Sequence, residues 1–218
     1  MITIAILNNA TIPLGCDFNA LVQALQVYLN QHFLPVWSQV GPVKLMTEKA
    51  PGAWVMEFLD DADVEGAEGY HDVESNLPHA KVFVRTTQQV GDLISVTASH
   101  ELAEMLVDPT ANLWVNAPDG TQWAYETADA VEENAFHVNG IPMSDFVYPA
   151  YFQPFRDGVQ FDHLKLITRP FEILRGGYST IRDPHTGEVK EIFGSPEKRA
   201  RFAKEDRRDH RSTWRRDY

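Results

Sequence analysis

The sequence predicts an α+β protein, and three observations lead to this fold class. Its 218 residues are 44% hydrophobic and 23% charged, which is ordinary usage for a folded globular chain. In the first half, short β-branched runs alternate with two segments of helical periodicity. The second half breaks into short segments between prolines and glycines, without an internal repeat. We therefore expect a small mixed sheet with a long N-terminal helix and a second helix, followed by a loop-rich subdomain.

The N-terminal elements follow from residue type and spacing. Residues 2–8 are rich in Ile and predict a strand. Asp17 is a suitable N-cap, and apolar side chains then recur at intervals of three and four until Pro35, which predicts a helix. Residues 43–46 and 53–59 predict two short strands separated by a Pro-Gly turn signal.

The later elements are predicted in the same way. Residues 69–72 indicate a loop or an edge segment, and residues 81–85 are the best candidate for a buried strand. A helix is expected from about residue 91 to residue 107. Residues 178–182 and 188–193 flank an Asp-Pro-His-Thr-Gly sequence and predict a β-hairpin.

Positive charge is concentrated at the C-terminal end of the chain. Residues 195–218 hold nine of the 19 Lys and Arg residues against five acids, so this stretch carries +4 and the remainder −16. We expect an N-terminal subdomain at 1–108, a C-terminal subdomain at 109–194 and a basic arm at 195–218. An acidic body argues against a broad nucleic-acid surface. The arm is instead a candidate contact to a second copy of the chain or to other proteins.

We expect neither an export signal nor a membrane-spanning segment. No stretch approaches the roughly 18 apolar residues that a spanning helix needs, and the N-terminus lacks a basic region. The single cysteine, Cys16, excludes an intrachain disulfide and a multi-cysteine zinc knuckle. We expect a cytoplasmic protein without membrane contact.

The chemistry-bearing motif is the stretch Ser-His-Glu-Leu-Ala-Glu-Met-Leu-Val-Asp-Pro that ends at Pro109. His100 and Glu104 are four residues apart, so both project from one helix face as potential metal ligands. Glu101 lies about 100° around the helix, where its carboxylate can act as a base without binding the metal. This spacing is similar to the zinc-binding His-Glu-x-x-His helix, with Glu104 in place of the second imidazole. An anionic ligand lowers the effective charge of zinc, so another divalent ion is also compatible.

The motif resembles the zincin-like metallopeptidase class, including phage and bacterial proteins with a Ser-His-Glu-x-x-Glu-(x)3-Asp/Asn-Pro signature. The resemblance spans roughly residues 69–155 and includes a Tyr-His-Asp sequence at 70–72, the stretch 78–84 and the aromatic stretch 145–152. In such proteins a Glu-x-x-Asp element follows the motif helix, and residues 126–129 match it.

The resemblance implies a zincin-like fold with zinc bound by His100, Glu104 and one or both of Glu126 and Asp129. It also implies that Glu101 is the catalytic base. For the third ligand, our order is Glu126, then Asp129, then a histidine at position 137. Since Pro109 follows it, Asp108 is expected to end the helix rather than bind the metal.

Two functions remain open from the sequence. The first is metal-dependent hydrolysis of peptide bonds, with an extended substrate paired to the strand that contains Val82, Phe83 and Val84. The second is a non-catalytic phage virion or assembly protein that keeps the scaffold and uses the basic arm for contacts. His71 and His79 are expected to be ordinary loop residues.

Overall fold

The computed structural model describes the backbone of residues 1–204 and the side chains of residues 1–200. The five strands of the largest sheet are β1 (Ile2–Asn8), β2 (Val43–Met46), β3 (Trp54–Leu59), β4 (Gly69–Glu74) and β5 (Leu77–Phe83). The remaining strands are β6 (Trp114–Asn116), β7 (Gln122–Ala124), β8 (Ala135–Val138), β9 (Ile141–Ser144), β10 (Tyr178–Arg182) and β11 (Val189–Phe193). The α-helices are α1 (Phe18–Val27), α2 (Val84–Val90), α3 (Ile94–Val107) and α4 (Pro196–Lys204).

The largest sheet has the strand order β2-β1-β3-β5-β4. Its first four strands are parallel, and only β4 runs antiparallel to its neighbour β5. The second half of the chain forms a four-stranded sheet, β11-β10-β7-β6, and a separate β8-β9 hairpin. Helices and sheets of mixed direction confirm the α+β class.

The N-terminal helix forms for the reasons that its sequence indicates. The Asp17 side chain accepts a hydrogen bond from the backbone N–H of Ala20, as an N-cap should. Leu21 and Leu25 are fully buried on the inner face. Beyond α1 the chain continues as a π-helical turn over Tyr28–Phe33, which the periodicity did not predict.

One hydrophobic core extends across both predicted subdomains. It contains Ile4 from the first sheet and Phe146 from the second half of the chain. Trp37 is fully buried, and its indole N–H donates a hydrogen bond of 3.0 Å to the carbonyl of Val147. The division at residue 108 therefore stays a prediction, with extensive packing across it.

The predicted substrate strand is wrong. Val82 pairs with Phe58 on one side and with Gly69 on the other, because β5 lies between β3 and β4. Phe83 is fully buried, and Val84 begins α2. A strand that is hydrogen-bonded along both edges cannot pair with a substrate.

The basic arm begins as a helix, α4, that packs against β11. Residues 205–218, which hold the rest of the predicted arm, lie outside the described residues. Its role in contacts with other chains stays a prediction. Among the helices of residues 1–204, none combines the length and the apolar character needed to cross a bilayer.

Candidate metal centre

The centre of the candidate site is α3, a helix buried on nearly all sides. It packs against β4, β5 and β9, and its His100, Glu101 and Glu104 are 8%, 4% and 0% exposed. Burying ionised groups is costly unless partners of opposite charge or hydrogen bonds compensate them. The three side chains therefore require a specific electrostatic environment, and the surrounding elements supply it.

The first cluster joins His100 to two carboxylates. Its Nε2 atom lies 3.3 Å from Glu104 Oε2 and 3.3 Å from Asp129 Oδ1. Hydrogen bonds between charged groups are usually about 2.7–2.9 Å long. By contrast, two ligand atoms held about 2.0–2.1 Å from a tetrahedral zinc ion stand about 3.3–3.4 Å apart. The donor set and its spacing fit a divalent metal.

The position of Asp129 is fixed by the chain that leads to it. Asp129 begins a 3-10 turn, Asp129–Val131, and its neighbour Ala128 donates its backbone N–H to Glu104 Oε1 at 3.1 Å. Because Oε1 accepts this hydrogen bond, the atom Oε2 is the one that approaches His100. Glu104 thus connects the motif helix to the second half of the chain.

A second cluster contains His71, which lies on a strand and not in the loop that the sequence predicts. His71 lies on β4 and is 3% exposed. Its Nδ1 atom is 3.5 Å from Glu101 Oε2 and 4.0 Å from Glu104 Oε2. His71 therefore lies between the predicted base and a predicted ligand.

The hydrogen bonds of His71 determine its charge state. Its Nε2 atom is 3.0 Å from the backbone carbonyl of Asp108, which can only accept, so Nε2 carries a hydrogen. The opposite nitrogen, Nδ1, faces the carboxylate of Glu101, which also only accepts when it is ionised. Nδ1 of His71 and Oε2 of Glu101 are both buried without a good hydrogen bond. A proton on Nδ1 or a cation between the two atoms resolves this conflict.

The pKa values report the excess of negative charge in this region. Burial alone lowers the pKa of His71, but Glu101, Glu126 and Glu104 outweigh it and raise the pKa to about 9. Burial raises the pKa of Glu104 to about 7, with Asp129 adding to the effect. The pKa of His100 is also raised, because Glu104 and Asp129 outweigh burial. The site favours added positive charge.

Glu126 and the remaining ligand candidates lie outside the cluster formed by His100, Glu104 and Asp129. Glu126 Oε2 is 3.9 Å from His71 Nε2, at the ring nitrogen that faces away from Glu101. Among the predicted third ligands, Asp129 is therefore the one that approaches His100 closely. His137 is exposed on β8. Asp108 accepts from the backbone N–H groups after the helix, which confirms its role at the helix end.

Gly69 provides the space that Glu101 occupies. A Cβ atom at Gly69 would lie 2.9 Å from Glu101 Cγ and 2.9 Å from the carbonyl oxygen of Lys81. Real Cβ atoms essentially never come this close to other atoms. A larger residue at position 69 would therefore require the Glu101 side chain or the backbone of β5 to shift.

A cleft of about 460 Å³ opens onto the site. Both His100 and Glu101 line it, and residues 67–70 at the start of β4 form part of its wall. The buried cluster is consequently accessible to a ligand from the side on which Glu101 lies.

Comparisons of this chain with protein-family models, with curated proteins and with solved structures return no match.

Proposed function

We propose that the protein is a zincin-like, metal-dependent hydrolase of peptide bonds, with zinc bound by His100, Glu104 and Asp129. The observation that carries the proposal is the pair of 3.3 Å distances from His100 Nε2 to the two carboxylate oxygens. Histidine nitrogen and carboxylate oxygen are both zinc ligands, and three protein ligands leave the fourth tetrahedral position open to water. Bound zinc supplies Lewis acidity that polarises a carbonyl group and acidifies water.

Glu101 is the general base in this proposal. It is adjacent to His100 in the sequence and lines the cleft, and it belongs to a second group, with His71 and Glu104, rather than to the group of His100, Glu104 and Asp129. Its carboxylate accepts a proton from water and transfers it to the leaving amine. His71 positions this carboxylate from the side of β4, where Nδ1 lies 3.5 Å from Glu101 Oε2.

The outer edge of β4 is the surface that binds the extended substrate. The backbone N–H of Phe83 donates to the carbonyl of Glu68 at 2.8 Å, so this residue pair is a hydrogen-bonded one. Since hydrogen-bonded and non-bonded pairs alternate in an antiparallel ladder, Gly69, His71 and Val73 direct their backbone groups away from β5. An extended peptide can add to such an edge as a further strand. This strand replaces the one predicted from the sequence.

Metal content is the first test of the proposal. We expect about one zinc ion per chain, measured by elemental analysis after zinc is supplied and excess is removed. His100→Ala and Asp129→Asn should lose the ion, whereas Glu126→Gln, the matched control for a nearby buried carboxylate, should keep it. Circular dichroism establishes that each variant is folded.

Hydrolysis is tested separately with Glu101→Gln. This variant should keep zinc and cleave a quenched fluorescent peptide library about 10²–10⁴-fold more slowly than the wild type. If the wild type binds no metal after zinc is supplied, the proposal fails and a non-catalytic scaffold is the better interpretation. Unchanged cleavage by Glu101→Gln would exclude it as the base.

A further inference from the structure

The second cluster, around His71, has the features of a further cation site. Among the residues that the structure describes, neither Nδ1 of His71 nor Oε2 of Glu101 has a hydrogen-bond partner, although both atoms are buried. The two atoms lie 3.5 Å apart. Two ligand atoms of a tetrahedral zinc ion stand about 3.3–3.4 Å apart, so the spacing of Nδ1 and Oε2 fits an ion between them.

The ring of His71 is oriented as the ring of a metal ligand usually is. Its Nε2 atom donates to the backbone carbonyl of Asp108 at 3.0 Å. In neutral imidazole the other nitrogen, Nδ1, then carries the lone pair that can bind a metal. Metal-binding histidines typically donate the N–H of their second nitrogen to a carbonyl or a carboxylate, which fixes the tautomer and the ring. The backbone that follows α3 supplies this contact.

Glu104 provides a third ligand atom and joins this cluster to the first one. Its Oε2 atom is 4.0 Å from His71 Nδ1 and 3.3 Å from His100 Nε2. Its other oxygen, Oε1, accepts the backbone N–H of Ala128. Carboxylate oxygens have two lone pairs each, and the two ions of paired metal sites lie about 3.5–4 Å apart. Oε2 of Glu104 can therefore bridge two ions.

Charge and access both favour a cation at this place. Glu101 and Glu104 are 4% and 0% exposed, and burying two carboxylates is costly unless positive charge compensates them. Glu101 also lines the cleft of about 460 Å³, which gives an ion a path from the solvent to its carboxylate.

His79 on the neighbouring strand β5 forms a cluster of a different kind. Its Nε2 atom is 2.9 Å from Glu57 Oε1, and its Nδ1 atom is 3.1 Å from Glu74 Oε2. Both distances are those of hydrogen bonds. His79 therefore has a partner at each ring nitrogen, and these contacts require no metal.

We propose that His71, Glu101 and Glu104 form a second site for zinc or a similar divalent cation, which shares Glu104 with the zinc ion proposed above. Because two divalent ions about 4 Å apart repel each other, the second ion binds more weakly and is lost when excess zinc is removed. While it is bound, Glu101 is a ligand and cannot accept a proton from water. This consequence and the sharing of Glu104 rest on the proposed function, whereas the second site itself does not.

Zinc binding at equilibrium tests the second site. Metal-free protein is dialysed against increasing concentrations of free zinc, and bound metal is measured by elemental analysis while free zinc is still present. We expect the wild type to reach about two ions per chain and His71→Gln to reach about one. Glutamine can keep an N–H donor for the Asp108 carbonyl but has no atom that replaces Nδ1. Circular dichroism establishes that the variant is folded.

Two further variants separate the second site from its neighbours. His79→Gln, the matched control on the same hairpin, should keep both ions. An ion that is lost in His79→Gln but kept in His71→Gln would overturn the inference. Asp129→Asn changes only the first site and should keep the ion that depends on His71.

The same variants distinguish the two proposals. If the wild type binds a single ion that Asp129→Asn loses and His71→Gln keeps, the second site is refuted and the proposed zinc site stands. If Asp129→Asn keeps every ion and His71→Gln loses one, the proposed zinc site is refuted and the second site stands.

A measurement on the wild type covers the case in which His71→Gln does not fold. The histidine ring nitrogens are observed by two-bond proton–nitrogen NMR during zinc addition. The signal of His71 Nδ1 should move to the position of a metal-bound nitrogen after that of His100 Nε2, whereas the signals of His79 should not move. If His71 Nδ1 keeps the signal of a protonated nitrogen at saturating zinc, a proton rather than a cation satisfies this atom, and the second site is refuted.

Discussion

Gly69→Ala tests whether β4 and the predicted base are as close as the structure places them. Gly69 is absent from the glycines with positive φ, so alanine meets no backbone strain there. The new methyl group would instead lie 2.9 Å from Glu101 Cγ, where carbon atoms normally stand about 3.5–4.0 Å apart. It would also lie 2.9 Å from the carbonyl oxygen of Lys81, a backbone atom of β5 that cannot move without disturbing the sheet.

The expected cost follows from two opposing effects. Overpacking a well-filled site typically costs about 1–3 kcal/mol. Replacing glycine lowers the conformational entropy of the unfolded chain and so stabilises the folded state by roughly 0.4–1 kcal/mol. We therefore expect Gly69→Ala to lower the free energy of unfolding by about 1–2 kcal/mol, as measured by urea denaturation and tryptophan fluorescence.

A double-mutant cycle identifies the neighbour responsible. In a Glu101→Ala background, one of the two close contacts disappears, and the cost of Gly69→Ala should fall by about half. An identical cost in both backgrounds would show that the methyl group does not meet Glu101. A stabilised Gly69→Ala single variant would refute the packing argument altogether.

Two other carboxylates lead to predictions about stability. Burial and the neighbouring Asp162 raise the pKa of Asp145 to about 8, so the folded state holds a proton that the unfolded chain releases near pH 3.8. The bound proton stabilises the folded state, and this stabilisation is fully present below pH 3.8 and is lost as the pH rises through about 8. Over that range the free energy of unfolding falls by at most about 1.4 kcal/mol per pH unit because of this group. We expect the free energy of unfolding of Asp145→Asn, measured by urea denaturation between pH 5 and pH 8, to depend less on pH than that of the wild type, by at most about 1.4 kcal/mol per pH unit. An unchanged slope would contradict the assignment. Asp108→Ala removes the acceptor for two backbone N–H groups and should lower the unfolding free energy by about 1–3 kcal/mol. Asp108→Asn should recover part of this loss in thermal melts, and equal losses in the two variants would exclude the hydrogen bonds as the cause.

Much of the first half of the chain was predictable because its signals are local. The Ile-rich run became β1, and Asp17 caps α1. On α3, the spacing of His100 and Glu104 correctly placed both side chains at one cluster, because helical geometry fixes that relation.

The position of His71 beside Glu101 was not predictable in the same way. It depends on the β4–β5 hairpin, whose turn sequence is only a weak hairpin signal. Ser75 and Asn76 both have positive φ and form the two-residue turn between β4 and β5. Such turns are most readily recognised from Asn-Gly or Asp-Gly, so Ser-Asn gave little indication of the pairing. Without the hairpin, nothing in the sequence places His71 beside Glu101.

The substrate strand was misassigned for a related reason. The apolar run at residues 82–84, within the predicted strand 81–85, indicates a strand buried on both faces, which is typical of the interior of a parallel sheet. Such a strand already has two hydrogen-bonded neighbours. The polar segment at 69–74 is the available edge, since a sheet edge next to solvent does not require a continuous apolar sequence.

The hydrogen bond from Ala128 to Glu104 has a consequence for synthesis of the chain. Its two partners are 24 residues apart, and Asp129 follows directly after Ala128. While the protein is being translated, all of α3 leaves the ribosome before either partner from the second half is available. The first sheet can pair early, but the charged face of α3 gains these contacts only later. Nascent chains arrested at a length that leaves α3 outside the ribosome and residues 128 and 129 inside its exit tunnel should therefore show slower hydrogen exchange in β1 and β3 than in the last turn of α3.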